Sequence, residues 1–158
     1  MYRTANTLPE QIRSRSVDLL NRHLAAAIDL HAQVKQAHWN VRGPTFIAIH
    51  ELFDKVADAV EEYSDKIAKR AGTLGGSAEG TVQTATERSF LEPYQLGVAD
   101  AEAHIATVTA ALASFGESVR NAIGESDEFG DLDTADVFTE VSRGIDQQLW
   151  LVESHRQP

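Results

Sequence analysis

The sequence predicts an all-α protein, built as a bundle of four long helices with one long connection. Apolar residues recur every three or four positions through four segments that proline and glycine separate, and no stretch alternates as a half-buried strand does. The link between the second and third segments, "SAEGTVQTATERSFLE" at residues 77–92, is long, polar and weakly periodic, with room for one short helix. A bundle whose second and third helices run parallel needs such a link, because the chain must travel the length of the bundle. We therefore expect one domain over residues 1–158, with a flexible N-terminal tail at 1–8 and a short C-terminal tail at 155–158.

The first two helices are bounded by clear signals. The first is predicted from about Pro9 to Asn40, since proline suits the first helical turn, where its missing N–H is not needed. "VRGP" then turns the chain, and the second helix is predicted from about Pro44 to Arg70. "AGTLGG" ends it, because glycine adopts the left-handed conformation of helix caps.

The second half of the chain is divided in the same way. The third helix is predicted from Pro93 to about Ile123, followed by an acidic loop at residues 124–130. The fourth is predicted from Asp133, as its N-cap, to about Ser154, because a short acidic side chain can accept from the free N–H groups of a first turn.

Composition limits the classes of function. Hydrophobic residues make up 42% and charged residues 24% of the 158 residues, as in soluble globular proteins. No apolar run approaches the roughly 20 residues that cross a bilayer, and "MYRTANTLPEQIRSRS" lacks the apolar centre of a secretory signal. We therefore expect a cytoplasmic protein without membrane contact. The lack of cysteine excludes disulfides, thiolate metal sites and cysteine nucleophiles.

The chain is acidic, with a formal net charge of −10. DNA phosphates repel such a chain unless its basic residues cluster, and the densest group is only Arg13, Arg15 and Arg22 with Arg3 upstream. The acidic excess fits either a protein that attracts cations or an ordinary solubilising surface.

One stripe of the second helix carries metal-ligand chemistry. His50 and Asp54 are spaced i, i+4 and share a face, which Asp58, Glu61 and Asp65 continue. Imidazole and carboxylate suit iron or zinc, whereas an exposed acidic face is the alternative. His50 and Asp65 lie roughly 22 Å apart along the helix, too far to bind one ion within a chain. A two-fold partner with an antiparallel helix would bring them together, so a single metal site here requires at least a dimer.

The remaining histidines and Trp39 have several interpretations. His38 lies across the "VRGP" turn from His50 and is predicted to join the same end. Trp39 beside it is expected to be a large apolar plug at the helix end, and His31 a core residue rather than a supporting group at the site. The other three are expected on the surface or in packing: His23, His104 and His155.

Three segments together resemble one family. "KQAHWNVRGPTFIAIHELFD", "DKIAKRAGTLGG" and "LDTADVFTEVSRGIDQQLWLVES" are similar to the Dps branch of the ferritin superfamily, the DNA-protecting mini-ferritins of starved bacteria. The resemblance covers residues 10–154. It implies a ferritin-like four-helix bundle with a short helix in the long connection and a hollow shell of twelve subunits. It also implies oxidation of Fe(II), usually by hydrogen peroxide in preference to oxygen, and storage of the ferric product inside.

The resemblance also assigns site residues, at sites shared between subunits on two-fold axes. His38, His50 and Asp54 match ligands or near ligands from one subunit, and Asp65 matches a ligand from its partner. Trp39 matches an aromatic residue beside the site that can donate electrons. Iron is thus the implied metal, with zinc as a substitute.

One position departs from the family pattern. The family has glutamate four residues after the aspartate, in "D-x-x-A-E-R", whereas "DKIAKR" places Lys69 there. A protonated lysine has three donors and no lone pair. Either the site binds iron weakly and oxidises it slowly, or Lys69 fills the site and the shell stores iron or shields the nucleoid without a normal ferroxidase centre. Further alternatives are a deprotonated Lys69 as ligand, or Glu61 or Glu62 in place of the glutamate.

The start of the fourth helix concerns the entry of ions, and the chain termini concern the binding of DNA. "GDLDTADVF" resembles the stretch that lines the family's three-fold pores, with Asp131, Asp133 and Asp136 as the matching acids. Family members that bind DNA use lysine-rich N-terminal tails, whereas the termini here offer Arg3, the terminal amine and Arg156. We therefore expect weak or absent DNA binding.

Overall fold

The computed structural model describes residues 1–156 and contains five helices. They are α1 (Glu10–Asn40), α2 (Phe46–Thr73), α3 (Val82–Arg88), α4 (Ala101–Phe129) and α5 (Leu132–Glu153). Apart from one isolated bridge between Arg42 and Asp100, these 156 residues form no β-structure. The long helices pair as α1 with α2 and α4 with α5, and α3 lies against α1. The all-α bundle and the short helix in its long connection are therefore confirmed.

The core lies between the four long helices. Each helix turns an apolar stripe inward, and the largest fully buried side chains include Leu20 and Leu30 of α1, Phe53 of α2, Phe115 of α4 and Phe138 of α5. Burying one such side chain stabilises the fold by about 1.5–3 kcal/mol. This core fixes the end of α1 beside the start of α2. Within residues 1–156, no helix combines the length and the apolar character that a membrane span requires.

The third long helix begins later than predicted. It starts at Ala101, where the carboxylate of Asp100 accepts a hydrogen bond of 3.0 Å from the N–H of Ala103. Residues 93–100 instead form a loop, which the N–H of Arg42 anchors by donating to the carbonyl of Ala99 at 2.9 Å. A cap at Asp100 thus outweighs the start signal of the proline at position 93.

The acidic loop predicted at residues 124–130 is wrong, because α4 continues to Phe129. Gly124 costs a helix roughly 1 kcal/mol, but Ala122 and Ser126 on either side of it are buried on the same face. Packing of that face keeps the helix intact. The helix ends at Gly130, whose φ of 84° is the left-handed cap conformation.

The N-cap of α5 is Asp131, so the prediction of Asp133 as N-cap is wrong. The carboxylate of Asp131 accepts from the N–H of Thr134 at 3.1 Å and from its hydroxyl at 2.6 Å. A capping oxygen must reach the N–H two or three residues further on, and Asp131 does so. Asp133 lies within the first turn of the helix.

The first residues of the chain contact the link between α2 and α3, and residues 5–8 lie beside the start of α5. The N–H of Tyr2 donates to the carbonyl of Gly75 at 2.6 Å. The guanidinium of Arg13 donates to the carbonyls of Leu8, at 3.0 Å, and Leu74, at 2.9 Å. The flexibility of this tail stays a prediction. Of the predicted C-terminal tail, residues 157 and 158 lie outside the described part of the chain.

Candidate metal site at the corner between α1 and α2

Two stacked histidines form the centre of the corner between α1 and α2. The rings of His38 and His50 lie 3.8 Å apart between centroids, at 18° to each other. Each Nδ1 lies 2.8 Å from the main-chain carbonyl of the other residue. Because a carbonyl only accepts, both Nδ1 atoms carry hydrogen, and in the neutral ring the lone pair is then on Nε2. This is the arrangement of metal-binding histidines, whose second nitrogen donates to a carbonyl.

A carboxylate and an ammonium group complete the corner. Asp54 lies one turn after His50, and its Oδ1 is 3.8 Å from the Nε2 of His38. The same oxygen accepts from the Nζ of Lys35 at 2.7 Å, and this hydrogen bond lowers the pKa of Asp54 below its ordinary value. Lys35 was not predicted at the site. Its position three residues before His38, on the same face of α1, was the available signal.

Trp39 does not plug its own helix end, so that interpretation is wrong within one protomer. Its side chain is 65% exposed, and the Nζ of Lys35 lies 5.8 Å from the ring centroid. Ile47 and Phe46 at the start of α2 are also exposed, and the ring of Phe46 lies 4.9 Å from that of His50. The corner therefore presents an apolar surface beside its polar groups.

The structure does not bring Asp65 to this corner. Asp65 lies further along the straight course of α2, roughly 22 Å from His50. Its carboxylate pairs with the Nζ of Lys69 at 2.5 Å, one turn further along the same helix. Lys69 is exposed, and the burial that a neutral lysine ligand needs is absent in the protomer. Within residues 1–156 no three histidine, aspartate or glutamate side chains converge closely enough to hold a metal.

A groove of about 540 Å³ runs beside Asp65, between α1, α2 and the link to α3. Its lining is partly apolar, from Leu24, Ile28 and Ala68, with His31 and Glu61 among its polar groups. His31 is half-buried in this groove rather than in the core, so the prediction of a core histidine is wrong. Glu61, like Glu62, is exposed and lies near the middle of α2, about three turns after His50.

The other histidines lie where the sequence placed them. His23 is buried, with its two ring nitrogens 2.9 Å from the carbonyl of Leu19 and 3.0 Å from the hydroxyl of Ser118. His104 is buried against Tyr94. His155 is exposed at the end of the chain. Two are thus packing residues and one is a surface residue, as predicted.

The three acids predicted to line a pore differ in environment. Asp131 is buried and accepts from Arg70 at 2.7 Å, whereas Asp133 and Asp136 are exposed. Burial would raise the pKa of Asp131, but the hydrogen bonds from Thr134 and the charge of Arg70 outweigh it and lower the pKa. Asp131 is therefore occupied within its own protomer. Arg70, which sequence reasoning missed, joins the end of α2 to the start of α5.

Comparison with known proteins agrees with this fold. The family model described as a ferritin-like domain matches residues 17–157. The DNA protection during starvation protein of Agrobacterium fabrum is 39% identical, over 99% of this chain and 96% of that protein. Among solved structures, Mycobacterium smegmatis Dps (tetragonal form) has a TM-score of 0.93 at 29% identity, over 99% of this chain and 95% of that one.

A second solved structure, DpsA14 from Streptomyces coelicolor, has a TM-score of 0.92 at 33% identity, over 99% of this chain and 92% of that one. The match with the curated relative and the match with the family model each span nearly the whole chain. The chain therefore belongs to the Dps family of ferritin-like proteins.

Proposed function

We propose that this protein binds Fe(II) at sites shared between two subunits, oxidises it with hydrogen peroxide or oxygen, and stores the ferric product inside a homododecameric shell. The observation that carries the proposal is the pair of stacked imidazoles, whose Nδ1 atoms donate to carbonyls and so leave the Nε2 lone pairs for a metal, the Nε2 of His38 being 3.8 Å from Asp54. Family membership supports the iron chemistry. Zinc would bind the same nitrogen and oxygen ligands as a substitute.

The site is incomplete in one chain, which is why we propose a two-fold partner. An antiparallel partner would bring its Asp65 to the stacked histidines, and symmetry would repeat the contact. The exposed Trp39 and Ile47 at the corner, and the partly apolar groove beside Asp65, favour this arrangement. Each subunit would then present an apolar surface and a groove that a second copy could cover.

Oxidation at such a site would protect DNA by removing reagents. Two Fe(II) ions each lose one electron to one hydrogen peroxide, which takes up two protons and leaves as two waters. The neutral imidazoles and Asp54 would hold the ferrous substrate, and the exposed Trp39 beside them would be available as an electron donor. Iron and peroxide are the two reagents of hydroxyl-radical formation, and the reaction consumes both. We infer a cytoplasmic protein that acts near the nucleoid.

A second candidate function is storage or shielding of the nucleoid with an impaired ferroxidase site. The observation that favours it is that both proposed carboxylate ligands already carry a cation. Asp54 pairs with Lys35 at 2.7 Å, and Asp65 pairs with Lys69 at 2.5 Å. A ferrous ion must displace or tolerate both ammonium groups, so we expect weak binding and slow oxidation.

Iron oxidation followed by the absorbance of the ferric product, with and without peroxide, tests the two candidates. We expect Lys69→Glu to raise both the rate and the affinity for iron. Lys55→Glu is the matched control, since it makes the same charge change at an exposed position of α2, and we expect little change. Oxidation no faster than in buffer would exclude the ferroxidase function, and recovery in Lys69→Glu would then identify Lys69 as the cause.

DNA binding and ion entry form the remaining parts of the proposal. We infer weak or absent DNA binding, because the net charge is −10 and the N-terminal residues contact the link between α2 and α3. Gel retardation at low and moderate salt tests this, and a tight, salt-resistant complex would contradict it.

For cation entry at three-fold pores we propose Asp133 and Asp136, since both are exposed.

A further inference from the structure

A second pair of aromatic side chains lies outside the metal site, where the loop before α4 meets the helix. The hydroxyl of Tyr94 is 2.5 Å from the Nδ1 of His104, which is hydrogen-bonding distance. The two rings are nearly parallel, with centroids 6.0 Å apart. His104 is 1% exposed, and Tyr94 is half-buried against the core. The proposed iron site does not use either residue.

The surroundings of the two side chains indicate which of them donates this hydrogen bond. Burial raises the pKa of Tyr94 to about 12, so the phenol keeps its proton at neutral pH. Burial also lowers the pKa of His104, while the backbone of Val98 and of Asn40 opposes that shift only in part. A neutral imidazole bonded to a phenol O–H accepts at Nδ1 and carries its own hydrogen on Nε2. Tyr94 is therefore the donor and His104 the acceptor.

The pair is fixed close to the end of α1. The backbone of Asn40, which follows Trp39, lies beside the His104 ring. The N–H of Arg42 donates to Ala99, so the loop that carries Tyr94 is tied to the turn after α1. His104 thus lies beside the end of α1, at a point two residues after His38, and the loop before it is tied to the following turn.

From this geometry we infer that Tyr94 and His104 form a redox-active pair, which supplies one electron to oxidants formed from peroxide and Fe(II). Tyr94 loses an electron, its O–H bond breaks, and an N–H bond forms at the Nδ1 of His104. The products are a neutral tyrosyl radical and an imidazolium. A hydroxyl radical, as the oxidant, takes the electron and becomes hydroxide, whose charge the imidazolium balances.

The pair can then be restored. A further ferrous ion supplies one electron to the tyrosyl radical, the proton returns from His104, and the ferrous ion becomes ferric. The hydrogen bond is important because it gives the phenol proton an acceptor at the moment of oxidation. The Nδ1 of the buried His104 takes the place that water would have as proton acceptor at an exposed tyrosine. The oxidant forms when peroxide takes one electron from a single ferrous ion, which gives a ferric ion, hydroxide and a hydroxyl radical, and the inference rests on the proposed function for the presence of iron and peroxide.

The experiment is electron paramagnetic resonance on freeze-quenched full-length protein. In one arm a photo-generated ruthenium(III) complex oxidises the metal-free protein, and in the other Fe(II) and hydrogen peroxide are mixed with it. We expect a tyrosyl signal in both arms and its loss in Tyr94→Phe, which keeps the ring and removes the hydroxyl. Tyr2→Phe and Tyr63→Phe are matched controls that should keep the signal.

His104→Gln separates a redox role from a structural one. The amide still accepts a hydrogen bond but is a far weaker base, so we expect the radical yield to fall severalfold even though the variant folds, as judged by its circular dichroism. A tyrosyl signal that survives in Tyr94→Phe, or no tyrosyl signal in the wild type, would overturn the proposal. The ruthenium arm needs no iron, so a Tyr94 signal there together with absent iron oxidation would contradict the proposed ferroxidase function and leave the pair standing.

Discussion

Replacing Arg70 by methionine should destabilise the protein by about 3 kcal/mol at pH 7. The guanidinium donates to the buried carboxylate of Asp131 at 2.7 Å, and its side chain is 13% exposed against 1% for Asp131. Removing one partner of a buried ion pair costs about 3–5 kcal/mol, because the other charge stays buried and unpaired. The hydrogen bonds from Thr134 to Asp131 remain, which places the expected cost at the lower end.

The pH dependence gives this prediction a second, independent readout. The folded pKa of Asp131 lies below the ordinary 3.8, so its stabilisation is complete above pH 3.8 and is lost as pH falls through the folded value. Without Arg70, the folded pKa of Asp131 should rise, because burial is then opposed only by the remaining hydrogen bonds. The wild type therefore loses more stability than the variant as Asp131 takes up a proton, and the stability difference between them should narrow as pH falls below about 4.

Unfolding in guanidinium, followed by circular dichroism at one fixed protein concentration, measures the free energy of unfolding of each variant and its dependence on pH. Concentration must be fixed because subunit association adds to apparent stability. Arg120→Met is the control, since it breaks an exposed pair with Asp146 at 2.8 Å and should cost at most about 1 kcal/mol. Equal costs for the two variants, or a difference from the wild type that stays constant down to pH 3, would refute the reasoning.

Two further predictions concern the site and the core. Lys35→Gln removes the cation that occupies Asp54, so zinc should bind more tightly by titration calorimetry, and an unchanged or weaker affinity would show that Lys35 does not compete with metal. Burial lowers the pKa of His23, so the unfolded chain binds the extra proton below pH 6.5 and stability should fall there by up to about 1.4 kcal/mol per pH unit. Unfolding midpoints from pH 7 to 5 in the wild type and in His23→Leu check this, and an equal slope in both would contradict it.

The fold was predictable from the sequence because its main signal is local. The apolar stripes of four helices and the long connection at residues 77–92 sufficed for the architecture. The wrong predictions concern the ends of helices, whose positions depend on packing and capping. Gly124 was interpreted as a helix end, yet the buried face through Ala122 and Ser126 keeps α4 helical. The start of α4 was predicted at Pro93 but lies at Ala101. The side-chain cap at Asp100 favours a helix start there more strongly than the proline does upstream.

The candidate site was predictable in its residues but not in its pairing. Helical spacing placed His50 with Asp54, and the turn returned His38 to them. Lys35 shares the face of α1 that carries His38, which was a signal for its presence at the corner. That spacing does not show that Lys35 reaches Asp54 on α2, and its pairing was therefore missed. The distance along α2 did predict that Asp65 stays apart, because it follows from helix rise alone.

Lys35 and Lys69 together explain why Lys69→Glu is expected to raise the affinity for iron. If a two-fold partner brings its Asp65 and Lys69 to the corner, the groups that meet are two carboxylates, two ammonium groups and two neutral imidazoles. Their charges cancel, so a ferrous ion would enter a neutral site with two positive charges uncompensated. Glutamate at position 69 would leave the same site with two net negative charges, which a ferrous ion balances. Because unlike charges attract more strongly where water is excluded, the substitution should change iron affinity in the assembled protein far more than in a single subunit.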